Sequence, residues 1–405
     1  MKIALLVPGF SAHEQDWCIP ALLNYVRALS QQADVHVFTL RWPERGGTYP
    51  VFGATVHALD GRQRLGWRAF GLWARALRTI AAEHRRAPFD VIHAFWADEP
   101  GWVAALAARR LKRPFILSLA GGELIGLPDI GYGLLLLPGR KTLVRWALRQ
   151  AARVTAGSQY LCELARARGA CDERKITRVP LGVDTALFSP RFVVTHASAS
   201  SGSVVTHGER HGERQSNRNH SASGGGFVVT HASASGAAII LNVGSLYPVK
   251  DQALLLRAFR RVSRELPQAQ LWLVGDGPLK ADLLGQAEGL PVRFWGAVNH
   301  AALPEVYHQA SVLVQTSRHE AQGMAVLEAA ACGAPVVGTP VGVLPEIGLV
   351  TRDEDALAQA LIELLCDPAR LKTLGEAARR RVESEFALSL TVKRFRQLYA
   401  GGKAG

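Results

Sequence analysis

HEAQGMAVLEAAACGAPVVGTPVGVLPEI (residues 319–347) places two glutamates, Glu320 and Glu328, eight positions apart on either side of Gly323 and an apolar run. The preceding SVLVQTSR (311–318) has strand composition, and the apolar run after Gly323 predicts a short buried helix. Glu320 then falls on a strand-to-helix loop and Glu328 about a turn and a half into the helix. A helix start offers free N–H groups to a phosphate or sugar oxygen. A loop carboxylate can accept hydrogen bonds from sugar hydroxyls, and a helix carboxylate can grip a ribose diol. Taken alone, two acids at this spacing fit an ordinary buried helix as well. The residues that follow them narrow the reading.

The full pattern, E-x-x-G-x-x-x-x-E-A-x-A-x-G-x-P-V-V-x-T-x-V-G followed by P-E-I, resembles the donor-site signature of retaining, family 4-type glycosyltransferases of the GT-B fold (glycosyl transferases group 1). Glu320, Gly323, Glu328, Gly333, Pro335, Thr339, Gly342, Pro345 and Glu346 stand in register with it. The resemblance covers about residues 1–190 and 237–400 and is stronger in the second half. It implies an α/β protein with two doubly wound, Rossmann-like domains facing across a cleft. It implies a nucleotide-sugar co-substrate, UDP- or GDP-linked, with no other cofactor and no metal. Glu320 and the amides of Gly323, Met324 and Ala325 would hold the donor sugar, and Glu328 the ribose. The implied reaction moves a hexosyl group to a hydroxyl acceptor on a glycan or lipid carrier. A catalytically weakened binding or scaffold protein is the alternative.

A chain of 405 residues, 48% of them apolar, suffices for two cores. Five scattered cysteines without metal-ligand spacing suggest a reduced, cytoplasmic setting. MKIALLVPGF is stopped by Pro8-Gly9 and reads as a first buried strand, not a signal peptide. No run of about twenty apolar residues predicts a spanning helix. The net charge of +13 is uneven: residues 1–190 carry 25 Lys+Arg against 15 Asp+Glu, and residues 237–405 carry 18 against 17. The first half therefore expects an anionic partner, such as a membrane surface at the inner face, a lipid phosphate or an anionic glycan. No nucleic-acid-binding module is recognisable.

Strand-like and helix-like runs alternate in both halves, which predicts parallel sheets with flanking helices. Residues 191–236 interrupt this with a Ser/Gly/His-rich tract in which Phe192–Ser200 recurs at Phe227–Ser235, and they read as a disordered insertion. The expected organisation is a domain over 1–190, the insertion over 191–236, and a nucleotide-sugar domain over 237–385. Residues 386–405 would form a helix crossing back to domain one.

NVGSLYPVKDQALLLRAF (242–259) supplies Gly244, Ser245 and Lys250. A glycine turn lets backbone approach a phosphate, and a lysine supplies charge for a leaving diphosphate. The resembled family has Arg where Ser245 stands. Gly277, in the turn of LVGDGPLKADL, and Val298, in VRFWGAVNHAAL, are expected to border the nucleotide. On the first half, Gly9 and Phe10 follow strand one, and Gly122 and Glu123 follow FILSLA, all on the acceptor side. The family's histidine is replaced there by Ala120. His93, ending DVIHAF, is the candidate polar or catalytic group, joined with Glu320 and Lys250. Asp98 and Glu99 share its loop. Residues 61–86 and 131–154 combine Leu, Trp and Phe with many arginines. They read either as core-packing helices or as a peripheral membrane contact.

Overall fold

The computed structural model describes residues 1–61, 68–190 and 238–401, so the expected insertion lies outside the described residues. The first half builds one eight-stranded sheet. Its strands are β1 (Lys2–Gly9), β2 (Asp34–Trp42), β3 (Gly46–Val51), β4 (Ala54–Leu59), β5 (Val91–Phe95), β6 (Phe115–Leu119), β7 (Arg153–Ala156) and β8 (Ile176–Arg178), in the order β3-β4-β2-β1-β5-β6-β7-β8. All neighbours are parallel except the β3–β4 hairpin. The second half builds a six-stranded parallel sheet from β9 (Ile239–Val243), β10 (Gln270–Val274), β11 (Val292–Gly296), β12 (Val312–Gln315), β13 (Val336–Gly338) and β14 (Leu349–Val350), in the order β11-β10-β9-β12-β13-β14.

Each sheet is buried on both faces by helices, which is why its central strands read as continuous apolar runs. In each sheet the chain reverses its direction of growth beside the first strand, at β1/β5 and at β9/β12. A crevice opens at such a point beyond the carboxyl ends of the strands, and the two halves turn these crevices toward each other. The GT-B architecture expected from the sequence is the one found.

Several elements escaped the sequence reading, β14 and the one-turn helix Leu344–Ile347 among them. The β3–β4 hairpin turns on Phe52-Gly53, both at positive φ, and its edge strand GGTYPV contains a proline and two glycines. Strand β8 is only three residues long. Helix Gln159–Ala167 is capped by the Ser158 hydroxyl, which accepts from the Leu161 amide. The final helix, Leu388–Gly401, packs on the first half: Phe395 and Tyr399 join its core, and the Tyr399 hydroxyl lies 2.7 Å from that of Tyr25.

Candidate active site

The second-half wall of the cleft grows from the ends of β9 and β12. Beyond β9, Gly244 donates to the Val274 carbonyl (2.9 Å) and Leu246 to that of Asp276 (3.0 Å), tying two turns together. Gly275 has φ +135°, and a Cβ there would lie 2.0 Å from the Gly244 carbonyl oxygen. Lys250 ends a short turn (Pro248–Lys250) whose carbonyl accepts from the Thr316 hydroxyl at 3.0 Å. Its ammonium is thereby aimed across to Glu320, with which it forms an ion pair, and Ser317 Oγ donates to the same carboxylate oxygen at 2.8 Å. Gly323, at φ +93°, opens the helix Met324–Ala331 and turns its first amides outward.

A cavity of about 860 Å³ lies between the halves. Gly244, Ser245, Lys250, Glu320, Gly323, Met324, Ala325 and Glu328 all line it. Gly277 and Val298 do not. Gly277 packs against the Leu246 backbone, where a Cβ would meet the carbonyl oxygen at 2.5 Å, and Val298 packs on the second-half core. Glu328 is buried and accepts from Tyr307 Oη (2.8 Å), with His300 Nε2 at 2.9 Å. Burial beside this carboxylate pushes the Tyr307 phenol well up, keeping it a donor. His300 in turn stacks on Trp17 of the first half, ring centroids 5.1 Å apart. Nothing in the sequence had marked His300, Tyr307 or Trp17.

On the first half the wall is Trp96, Ala120, Gly121 and Tyr132, with Pro20 opening the helix Pro20–Ser30 beside them. Trp96 sits at φ +71°. The expected first-half residues lie behind this wall. His93 is fully buried, between Tyr399 Oη and Ser118 Oγ, each at 2.7 Å, with the Phe95 and Phe395 rings beside it. Burial lowers its pKa to about 3, so it is neutral. Strand β5 runs on to Phe95, which leaves His93 mid-strand and its ring in the packing under the last helix. Glu123 is also enclosed; it accepts from the amides of Gly121 (2.7 Å), Ala120 (3.0 Å) and Ala97 (3.3 Å), holding the loops rather than facing the cleft. Phe10 is a core residue, Gly9 packs on Trp42, and Gly122 packs on Tyr132. Asp98 is pushed up to about 7, first by burial and then by Glu123 and Glu99. Glu99 is gripped by Arg41, at 2.6 and 2.9 Å, and by Trp73 Nε1 at 2.6 Å.

The two halves touch through the donor loop itself. The Gln322 amide group pairs with the Leu181 backbone, accepting from its N–H at 2.8 Å and donating to its carbonyl. Ser158 Oγ donates to the Ala321 carbonyl (2.7 Å), and His319 lies 3.2 Å from both the Gly121 carbonyl and Tyr160 Oη. Arg318 pairs with Asp129 across the mouth. Among the described residues one group has the side chains to hold a metal, His36, His57 and Glu83. His36 lies near the start of β2, at the amino ends of the strands, and does not line the cavity.

Comparison with known proteins agrees with this geometry. The family model for Glycosyltransferase Family 4 matches residues 21–187, and that for Glycosyl transferases group 1 matches residues 237–367. The chain belongs to this glycosyltransferase family. Among relatives of the family 4 chain is a GDP-mannose-dependent monoacylated α-(1-6)-phosphatidylinositol monomannoside mannosyltransferase of Corynebacterium glutamicum, 34% identical over 37% of this chain and 43% of that protein. Another is a D-inositol 3-phosphate glycosyltransferase of Segniliparus rotundus, 26% identical over 81% of this chain and 71% of that one. The chain spans about half the length of the first curated relatives it matches, between 43% and 55%. Sucrose-phosphate synthase of Thermosynechococcus elongatus shares the fold at TM-score 0.73 and 21% identity, covering 99% of this chain and 98% of that one. HepE of Anabaena, solved with UDP and glucose, superposes at TM-score 0.68 and 17% identity, covering 99% and 100%.

Proposed function

We propose that this glycosyltransferase moves a hexosyl group from a UDP- or GDP-linked sugar to a hydroxyl acceptor, with retention and without a metal. The Lys250–Glu320 pair carries the reading, because it sits on a cavity walled by both halves. The cavity volume falls in the range of small-ligand sites, roughly 300–1,000 Å³. Departure of a nucleoside diphosphate places negative charge beside the anomeric carbon. Lys250 and the free amides after Gly323 are donors positioned to take up that charge. Glu320, its charge shared with Lys250, accepts from sugar hydroxyls instead of attacking carbon. Among the described residues the other carboxylate on the cavity is Glu328, and it is occupied by Tyr307 and His300. For retention, the course that the family resemblance implies is same-face attack on a short-lived oxocarbenium ion-pair. Among the described residues no Asp-x-Asp lines the cavity, and Lys250 with the helix amides supplies the positive charge that a metal would otherwise bring.

Relatives named for GDP-mannose and a structure holding UDP keep both carriers open for this chain. Those named for phosphatidylinositol mannosides and inositol phosphate favour a polyol or lipid-linked hydroxyl as acceptor. The test is hydrolysis and binding of UDP- and GDP-sugars in EDTA by the wild type, Glu320→Gln and Lys250→Ala. One donor should be hydrolysed despite EDTA, and each variant should lose about 10²–10³-fold, the size of a removed transition-state donor. Failure to bind any donor would sink the reading.

A further inference from the structure

The tryptophans of the two arginine-rich helices face inward. Trp73 and Trp146 pack on the first-half core, and Trp102 between them is buried. A different set of side chains is left outside. Phe70 on helix Arg68–Arg86 is 64% exposed, and Leu136, Leu137 and Leu143 around the start of helix Arg140–Gln150 are 38%, 48% and 40% exposed. They belong to one face. Phe70 meets Trp73 edge-on at 5.1 Å, Trp73 meets Trp102 at 5.6 Å, and the Arg140 guanidinium lies 5.1 Å over Trp102. The apolar strip is interleaved with positive charge. No acid occurs between Asp129 and Glu163, a span that holds Arg140, Lys141, Arg145, Arg149 and Arg153. Beneath it, Glu99 is already neutralised by Arg41.

We infer that this strip docks on an anionic lipid bilayer, with the leucines and Phe70 in the interface and the basic groups on the headgroups. Exposed apolar side chains flanked by arginine and lysine gain from both apolar burial and attraction to anionic lipid. The strip also runs into the site: Ile130, Gly131 and Tyr132 line the cavity, and the exposed leucines follow within a few residues. A lipid-borne hydroxyl could pass from the bilayer into the cleft along this path without leaving the protein surface. That last step rests on the transferase reading; the docking does not.

The test is co-sedimentation of the full chain with vesicles of phosphatidylcholine alone and of phosphatidylcholine mixed with phosphatidylglycerol. Two double variants accompany it, Arg140→Glu with Lys141→Glu, and Phe70→Ser with Leu143→Ser. The wild type should prefer the anionic vesicles and release them as salt rises. The charge-reversal variant should bind them at least about tenfold more weakly, since each basic group near such a surface contributes roughly fivefold. The serine variant should bind more weakly as well, and both should keep wild-type donor hydrolysis, which shows that the fold survives. Equal binding to both vesicle types, or unaltered binding by both variants, overturns the proposal. So does a wild-type dimer that the serine variant breaks up, which would assign the strip to a second copy. Vesicle binding without binding of any donor would refute the transferase reading and leave the docking standing.

Discussion

Glu320 and Glu328 belong to one loop–helix unit, yet their surroundings give them different work. Glu320 faces the cavity with a lysine and a serine hydroxyl as partners, so its carboxylate is an acceptor within reach of a ligand. Glu328 is buried, and its two oxygens are taken by Tyr307 and His300, so the three form a preformed cluster at the cavity wall. A ribose diol that reaches Glu328 must share it with groups that spacing in the sequence does not reveal. His93 illustrates the opposite case. A histidine near a strand end suggests a cleft group, but one further turn of strand puts it in the packing. Its pKa is about 3 folded, against 6.5 in the unfolded chain. Above pH 6.5 both states are neutral and its contribution to stability is complete. As pH falls from 6.5 toward 3, only the unfolded chain takes up the proton, so stability is lost. Chemical denaturation across that window should show a slope from this group of about 1.4 kcal/mol per pH unit. In His93→Gln the slope should be shallower by that amount, with donor hydrolysis kept at neutral pH. Loss of hydrolysis with an unchanged slope would return His93 to the reaction.

At the scale of elements, the donor wall depends on how closely two turns approach. Gly275 carries a φ that favours glycine, and its missing Cβ leaves room for the Gly244 carbonyl. Gly275→Ala should therefore cost about 2 kcal/mol or more in stability through strain and displacement. It should also raise the donor KM by shifting Gly244 and Ser245. Gly285 is the control. It lies in helix Lys280–Gln286 with nothing within 4 Å of an added Cβ, and Gly285→Ala should stabilise by about 0.5–1 kcal/mol. Denaturant unfolding and donor KM measured on both variants check the pair. The same elements show what a sequence makes legible. The strands from β9 to β13 are short apolar runs between glycines and polar helices, and an apolar run is all that a strand buried on both faces requires. Strand β3 was not legible because an edge strand needs no apolar face; its neighbour β4 is an interior, buried strand whose run ATVHAL is short and broken by Thr55 and His57. The acceptor side was legible only as a set of loops. Which loop residue faces the cleft and which anchors it is settled by backbone turns, such as Trp96 at positive φ, that composition does not encode.

At the scale of the whole molecule, the site exists only while the halves are held together, and one contact concentrates that dependence. Gln322 reaches from the donor loop to Leu181, where the chain leaves the first half, and fixes both ends of its amide on one backbone unit. Gly157 lies under it: a Cβ there would come within 2.2 Å of Gln322 Oε1 and 3.0 Å of its Cδ. A glutamine free to move would swing aside at little cost. This one is pinned at both ends, so Gly157→Ala must either break the Leu181 pair or part the halves. Neither half has its core at this point, so unfolding should change little while turnover falls. A misplacement near 1 Å can cost about 10²-fold in rate, and a loss of at least about tenfold in kcat is expected here. The double-mutant cycle separates this from a local effect. With Gln322→Ala the amide is gone and the added methyl keeps only the contact with the Cβ of residue 322, at 3.2 Å, so Gly157→Ala should then cost much less. If the two substitutions prove additive in kcat, the methyl acts through some neighbour other than Gln322, and the glutamine is not what couples the halves to the chemistry.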